Sequence, residues 1–465
     1  MAIGLVTALA GGLRFYHLSA PHSYVFDEVY YAKDGCFDAG LPYRKCHLDS
    51  PQEQTSGVHP PLGRWIIAGG IAAFGNRSFG WRFASAVAGT LSVLFLSVMA
   101  ARMFRSALWG GVAGLLLATE NLNFVQSRMA MLDIFVTVFV VAGFMCLVLD
   151  RDWIYRRTPA PQEIEEEDES ALLAMPPDRP PSPIFRPWRI AAGLAFGAAA
   201  ASKWSGGLAL IAAIPLSFMW EWSRRKRIGL PDPLRQTLMA ESWGIILFIG
   251  LLPVAVYMAS YARYWTGHGF HDWIHLQRGM ASFSLQLRAT HPYASKPWSW
   301  ILLKRPVAYY YQCTRMSGST CLSTAEILGL GNPLIFWGSV ITIPYAFLAW
   351  IWKRDARGGL ITLAFAALYL PWLLTRRTSF IFYMAPITPF MVLAGVFALR
   401  DMSEARIGIE RSRAFAPLAG FAVLAAVGLF FFFFPVLTGR GISQQAWVSR
   451  MWFGRCVPKP TWCWI

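Results

Sequence analysis

The sequence predicts an all-α polytopic membrane protein with about eleven transmembrane helices. Three observations carry this expectation. Hydrophobic residues make up 55% of the 465 residues and charged residues only 15%, where a soluble chain carries about a quarter charged; mean hydropathy is +0.40. Apolar runs approaching the ~20 residues of a spanning helix recur along the chain. Basic clusters fall in alternate connections between those runs. The composition excludes a soluble enzyme, a disordered chain and a nucleic-acid-binding domain. The net charge of +16 could suit an anionic partner, but its distribution matches the Lys and Arg excess of cytoplasmic loops.

The first apolar run extends from Ala2 to Leu13. Carried to Phe15 as a helix it covers roughly 22 Å, short of a hydrocarbon core of ~30 Å, and no basic residue precedes it. It reads as a span with a missing or misassigned N-terminus. A signal peptide is the alternative, although no small-residue cleavage site stands before Phe26. Further runs lie near 80–101, 106–119, 129–149, 189–201, 205–222, 240–259, 333–352, 358–374, 380–399 and 414–437. With the N-terminus inside, the cytoplasmic connections hold Arg102 and Arg105; Arg151, Arg156 and Arg157; Arg224, Arg225, Lys226 and Arg227; Lys353, Arg354 and Arg357; and Arg400, Arg406, Arg411 and Arg413. The positive-inside rule requires this register, and an odd span count puts the C-terminus outside.

Two outer connections are long: the first, residues 18–62, and the fourth, residues 260–332. Inside, residues 158–187 hold Glu163, Glu165, Glu166, Glu167, Asp168 and Glu169 and then a Pro-rich stretch. That composition cannot bury a core and predicts a disordered cytoplasmic linker. The chain thus divides into a transmembrane unit, residues 1–437, and an outer tail, residues 438–465. There is no internal repeat, which weakens an inverted-repeat transporter reading.

Cysteines sort by the same topology. Cys36 and Cys46 share the first outer loop, Cys313 and Cys321 the other long loop, Cys456 and Cys463 the tail, and Cys146 lies alone in a span. Close pairs on one side favour disulfides in an oxidising compartment over free thiols or metal ligands, though spacing alone does not supply the geometry.

The candidate chemistry lies at the outer helix ends. In the stretch from Phe26 to Asp34, Asp27 and Glu28 are adjacent carboxylates. A carboxylate there can act as general base toward a hydroxyl, or Asp27 can simply cap the helix that begins at Glu28. His59-Pro60-Pro61 precedes an amphipathic run, Leu62 to Phe74, that reads as an interfacial helix. Arg82 at the outer mouth of the next span could snorkel or hold a phosphate. Arg128 and Asp133 stand five positions apart; intramembrane ionisable residues are costly and usually functional, and an Arg128–Asp133 ion pair is the structural reading. Lys203 ends another span, and Arg376 and Arg377 precede Phe380. Arg82, Arg128, Lys203 and Arg377 all map to the outer mouth, where the positive-inside rule does not explain them; they suit an anionic lipid phosphate. His268, His271 and His275 could share a helical face and hold a metal, but surface histidines near an interface are the favoured reading.

The stretches FDEVYYAKD, HPPLGRW, FGWRF, SRMAMLD, SKWSGG, HPYASKPWSW, RPVAYYY, LGNP and YLPWLLTRRTSFIFYMAPITPF, in this order from about Arg14 to about Leu399, resemble the bacterial protein O-mannosyltransferases. These are similar to the eukaryotic dolichyl-phosphate-mannose enzymes. The resemblance implies the GT-C glycosyltransferase architecture and inverting transfer of mannose from polyprenyl-phosphate mannose to Ser or Thr hydroxyls of secreted proteins. It implies a cell-membrane protein whose catalytic site faces outward. Asp27 matches the proposed catalytic base, with Glu28 orienting the acceptor and Arg82 and Lys203 holding the lipid phosphate; from their positions in this chain, His59, Arg128, Asp133 and Arg377 are added as substrate-binding candidates. Inversion needs one base and no covalent intermediate. No cofactor and no metal are expected; the lipid-linked donor is a substrate. Expected partners are the donor, the acceptor proteins and membrane lipid, with the secretion translocon as a further candidate, since the acceptor must arrive unfolded; no nucleic acid is expected.

The chain departs from the family pattern in four places. Arg64 stands where Lys is usual, Ser284 stands where many bacterial members carry His, Cys36 and Cys46 are an unusual pair, and the β-trefoil insertion of eukaryotic members is absent. The competing expectations are a lipid- or glycan-modifying transferase of the same architecture and a lipid-linked-sugar transporter. The transporter would not need Asp27 and Glu28 in a long outer loop.

Overall fold

The computed structural model describes residues 1–49, 58–158, 184–404, 406–407, 410–411, 415–454 and 463–464. Every apolar run carries a helix. These are α1 (Ala2–Phe15), α4 (Ser78–Phe104), α5 (Ala107–Ala118), α7 (Leu132–Tyr155), α8 (Pro187–Ser202), α9 (Leu210–Arg227), α10 (Pro233–Ala259, with a π-helical stretch at Ile246–Leu251), α12 (Pro333–Lys353), α13 (Ala356–Leu373), α14 (Thr388–Ser403) and α15 (Ala416–Thr438). Among the described residues six helices (α4, α7, α10, α12, α13 and α15) are long and apolar enough to cross a membrane by length and composition alone. The others are shorter or less apolar, so the span count of eleven is not fixed by this measure. The outer connections add α2 (Glu28–Asp38), α3 (Leu62–Phe74), a short α6 (Asn121–Gln126) and α11 (Phe270–Gln286).

Polar side chains set several boundaries. Ser106 accepts from the Trp109 amide to start α5, and Asn332 accepts from the Leu334 amide to start α12. Asp355 accepts from the Arg357 amide to start α13. Each satisfies an amide that the first helical turn leaves without a partner. Packing places α7 at the centre: 78% of its most apolar stretch is buried, against 22% for α10 and 28% for α12 and α15, which present apolar faces outward. α4 lies against α1, α3, α5 and α7; α7 against α8; and α14 against α5, α12 and α13. Gly89 on α4 permits one close approach, because a Cβ there would stand 2.2 Å from the Ser127 Cβ and 2.8 Å from the Arg14 Nε.

The chain is predominantly helical, but the fourth outer connection also holds an antiparallel hairpin that the sequence reading did not foresee, β1 (Val307–Ser317) and β2 (Thr320–Gly329). The tail is not separate from it: β3 (Ile442–Ser443) adds to the edge of β2, and Trp447 donates to Glu326 at 2.6 Å. Cys36–Cys46 and Cys313–Cys321 are disulfides, and Cys146 is free and buried. Of the third expected pair, Cys456 lies outside the described residues.

Most of the expected linker, residues 159–183, also lies outside the described residues. Its last part is not linker: Arg186 is buried and α8 begins at Pro187. Arg186 donates to Asp150 on α7 at 2.5 and 2.9 Å and to Glu221 on α9 at 2.6 Å. Arg189, Arg224 and Arg225 share Glu221 and Glu241 with it. This buried network of four arginines and three carboxylates joins α7, α8, α9 and α10 at one end of the bundle. Removing one member leaves uncompensated buried charge, which costs more than the pair contributes. Arg186→Gln is therefore expected to cost about 3–5 kcal/mol, read as a lowered thermal midpoint of the purified protein; Arg235→Gln, at an exposed position on α10, is expected to stay within ~0.5 kcal/mol of wild type.

Candidate active site

The site forms at the other end of α4 and α7, beneath the chain that wraps from α1 to α2. Two guanidiniums fix that wrap. Arg128, in the turn before α7, donates to the carbonyls of Leu13, Arg14, Tyr16 and His17 at 2.5–3.2 Å. It caps the C-terminus of α1, where carbonyls lack helical partners and the dipole favours a cation. Arg82 on α4 donates through Nε and Nη2 to both oxygens of Glu28, each at 2.7 Å, and also to the carbonyls of Leu18, Pro21 and Ser23. Glu28 further accepts from the amides of Val25 (3.0 Å) and Ala130 (2.9 Å). Arg82 and Glu28 are wholly buried.

These contacts bear on three expectations. Arg82 and Arg128 are consumed by carbonyls and by Glu28, so neither presents a free guanidinium to a phosphate. Both Glu28 oxygens are taken by Arg82 and by the amides of Val25 and Ala130. Arg128 does not pair with Asp133: it sits in the turn ahead of α7, whereas Asp133 enters α7 and accepts from Lys203 at 2.9 and 3.0 Å.

Asp27 is what the Glu28–Arg82 clamp positions. It occupies the residue before α2 but makes no side-chain cap hydrogen bond, and among the described residues no group donates to its carboxylate. Phe26, next to it, holds φ at 46°, a left-handed conformation costly for a bulky aromatic residue. Its ring is gripped by Tyr309 at 5.1 Å, Phe382 at 5.8 Å, His291 at 5.9 Å and Phe380 at 6.2 Å. Burial pushes the Asp27 carboxyl up to about 6, with Lys203 pulling it back and Asp133 adding to the rise. An acid so tuned is mostly ionised at neutral pH and still basic enough to accept a proton.

Around it stand groups that the sequence reading left unassigned. Tyr31, Tyr309 and Tyr383 are all buried. Tyr309 accepts a hydrogen bond from Gln126 at 2.5 Å. The Lys203 Nζ lies 4.5 Å from the Tyr383 ring, and Arg377 reaches the same tyrosine, Nη2 to the hydroxyl, at 3.4 Å. His59 lies 6.0 Å from Tyr31, ring to ring. Burial, with Lys203, Arg377 and Arg64 acting the same way, holds its imidazole well below the usual range, so it is neutral. The signal for these tyrosines was their place inside the quoted motifs; nothing in their spacing singled them out.

Arg377 makes no carboxylate contact among the described residues. With Arg288, Lys296 and Arg376 it lines a cavity of 580 Å³ that has no acidic wall. The rim of this cavity is pinned by Ser295 and Ser379, whose backbone and side-chain bonds at 2.9 Å join the 287–300 and 375–380 segments. His271 and His275 approach at 3.2 Å, while His268 stacks on Tyr264; among the described residues no group of three His, Cys, Asp or Glu has metal-binding geometry.

Known proteins match this chain along its length. The family model for the C-terminal four TMM region of protein-O-mannosyltransferase matches residues 269–456, and that for dolichyl-phosphate-mannose-protein mannosyltransferase matches residues 58–154. The polyprenol-phosphate-mannose–protein mannosyltransferase of Mycolicibacterium smegmatis is 30% identical over 96% of this chain and 91% of its own length. That of Mycobacterium tuberculosis is 30% identical over 97% and 90%. In fold, the chain matches the S. cerevisiae protein O-mannosyltransferase Pmt1-Pmt2 complex bound to the sugar donor with a TM-score of 0.73 at 14% identity, covering all of this chain and 92% of that one.

The clamp makes a test that needs no substrate. Glu28→Gln and Arg82→Gln are each expected to destabilise the protein by about 3–5 kcal/mol, since each strands a buried partner. The double variant is expected to cost little more than either single change, a strong coupling in a double-mutant cycle. Additive costs in thermal unfolding would show that the pair does not act as one unit.

Proposed function

The chain belongs to the protein O-mannosyltransferase family, and from that premise we propose that it transfers mannose from polyprenyl-phosphate mannose to Ser and Thr hydroxyls of proteins. The observation that carries the reading is Asp27: a carboxylate with no hydrogen-bond donor among the described residues, tuned to about 6 and fixed by the Glu28–Arg82 clamp beside it. Asp27 takes the proton from the acceptor hydroxyl as its oxygen attacks the anomeric carbon. The bond from that carbon to the phosphate oxygen breaks, and the phosphate leaves with the electron pair. Attack from the face opposite the phosphate inverts a β-linked donor to an α-mannoside, with no enzyme-bound sugar.

The phosphate is assigned to the cavity walled by Arg288, Lys296, Arg376 and Arg377, and Lys203 lies between that wall and Asp27, against Tyr383. Fixed cations facing the leaving phosphate stabilise its growing charge. We assign the electrostatic role to these side chains, so no metal is required. Glu28, Arg82 and Arg128 act as positioning residues, and the neutral His59 and the three tyrosines line the space where the sugar and the acceptor hydroxyl meet. Charge supports an orientation with Asp27 on the extracytoplasmic side of the cell membrane, because the dense arginine clusters lie at the opposite end of the bundle. Acceptor proteins would reach that side unfolded, which makes the secretion translocon a natural partner. The lipid- or glycan-modifying alternative gains no specific observation.

The direct assay supplies polyprenyl-phosphate mannose and a Ser/Thr-rich peptide to the purified protein. Wild type is expected to mannosylate the peptide. Asp27→Asn is expected to lose about 10²–10⁴-fold in turnover with an unchanged or higher thermal midpoint, because an ionised carboxylate leaves a site that solvates it poorly. Sugar appearing on a lipid and not on the peptide would overturn the assignment of acceptor. In wild type kcat/KM is expected to rise with pH through about 6 and then level, as the base ionises; a profile flat across pH 5–7 would remove Asp27 from that role. EDTA is expected to leave transfer unchanged.

A further inference from the structure

Arg82 opens α4 and Arg102 closes it, a separation of roughly 30 Å, so the helix ends around Arg102 lie far from Asp27. Arginines there are of two kinds. Arg186, Arg189, Arg224 and Arg225 are buried and paired with carboxylates. Arg102, Arg105, Arg156 and Arg354 are exposed, and among the described residues their side chains make no ion pair or hydrogen bond. All four line one cavity of 670 Å³ together with Arg151 and Arg227. Among the described residues its one acidic wall residue, Asp152, is paired with Arg151 at 2.9 Å. Among the described residues, five positive charges are thus left uncompensated around one space.

Two further features set this cavity apart from a general excess of cytoplasmic charge. Arg105 and Arg354 close α4 and α12 at φ of 52° and 53°, the left-handed position that glycine normally takes at a helix end. Arginine is therefore kept at two places where the backbone disfavours it. Next, the cavity adjoins a second one of 370 Å³, with which it shares Trp220, Ser223, Arg354 and Ala356. That second space is largely apolar, walled by Leu216, Met219, Trp222 and Trp350. A topogenic arginine needs only to be on the correct side of the membrane; it needs neither a strained cap nor an apolar cleft beside it.

We propose that these joined cavities are a binding site for a membrane phospholipid bearing two phosphodiesters, of the cardiolipin type. Its phosphates sit among Arg102, Arg105, Arg156 and Arg354, each able to offer a planar fork to a phosphate, and an acyl chain lies along Trp220 and Trp350. Basic pockets between helices at the cytoplasmic face are a recurrent setting for such headgroups. A headgroup with two phosphates meets two of these five charges, where a monoanionic headgroup meets one. Only the leaflet, the cytoplasmic one, rests on the orientation given above.

The test uses the full chain purified in detergent, titrated with cardiolipin, phosphatidylglycerol, phosphatidylcholine or inorganic pyrophosphate, and read by native mass spectrometry and thermal unfolding. Wild type is expected to retain cardiolipin and to rise in thermal midpoint with it, more than with phosphatidylglycerol at equal phosphate, and not to respond to phosphatidylcholine. The double variant Arg105→Gly, Arg354→Gly removes two charges and relieves two strained caps. It is expected to bind cardiolipin at least tenfold more weakly while its lipid-free midpoint holds or rises. Arg235→Gln, which lines neither cavity, is expected to bind as wild type. Equal cardiolipin affinity in wild type and double variant would overturn the site. Equal shifts from phosphatidylglycerol would overturn the two-phosphate specificity, and an equal shift from pyrophosphate would make the ligand a soluble anion.

Discussion

The Glu28–Arg82 ion pair is the constraint on which the active end of the molecule depends. Neither partner reaches solvent, so each would be prohibitively desolvated without the other. The pair is saturated: Glu28 also holds the amides of Val25 and Ala130, and Arg82 also holds three carbonyls of the incoming chain. Three segments distant in sequence are thereby registered to one point. The residue left over at that point is Asp27, whose carboxylate has no hydrogen-bond donor among the described residues. Phe26 completes the arrangement by accepting a disfavoured φ in exchange for four aromatic contacts.

How much of this was legible varies with the range of the interaction. Helix positions follow from local hydropathy, and the ten runs after α1 all meet a helix, because apolar length is a property of contiguous residues. Asp27 was legible through the stretch FDEVYYAKD and its family resemblance; as an isolated pair, Asp27 and Glu28 read first as the start of a helix. The partners of the cations were not legible. Arg82 and Arg128 look like phosphate ligands in a sequence, since the backbone carbonyls that both engage leave no mark there, and nothing local pairs Arg82 with Glu28. The five-residue spacing of Arg128 and Asp133 suggested a local pair, but Lys203, seventy positions away, takes the aspartate because the turn before α7 aims Arg128 back at α1. Tyr31, Tyr309 and Tyr383 lay inside motifs but converge only in three dimensions. Arg186 was assigned to a linker on composition, which cannot register one buried side chain at the edge of a polar stretch.

The two ends of the bundle use arginine in contrasting ways. Beside Asp27 the buried arginines are spent on architecture, and the free cations lie to one side around Arg377. At the far end a buried network of four arginines and three carboxylates holds α7, α8, α9 and α10 together, and a second, exposed set has no ion pair among the described residues.

The line from Asp27 through Lys203 and Tyr383 to Arg377 has a consequence for the charge balance of the proposed reaction. When Asp27 takes a proton it loses one negative charge, and the departing phosphate gains one. The total charge inside the site does not change; a single negative charge moves from the Asp27 end to the Arg377 end. Lys203, held by Asp133 against the Tyr383 ring, sits along that route and need not move. The site then behaves as a fixed electrostatic gradient, and little reorganisation of protein dipoles accompanies the step.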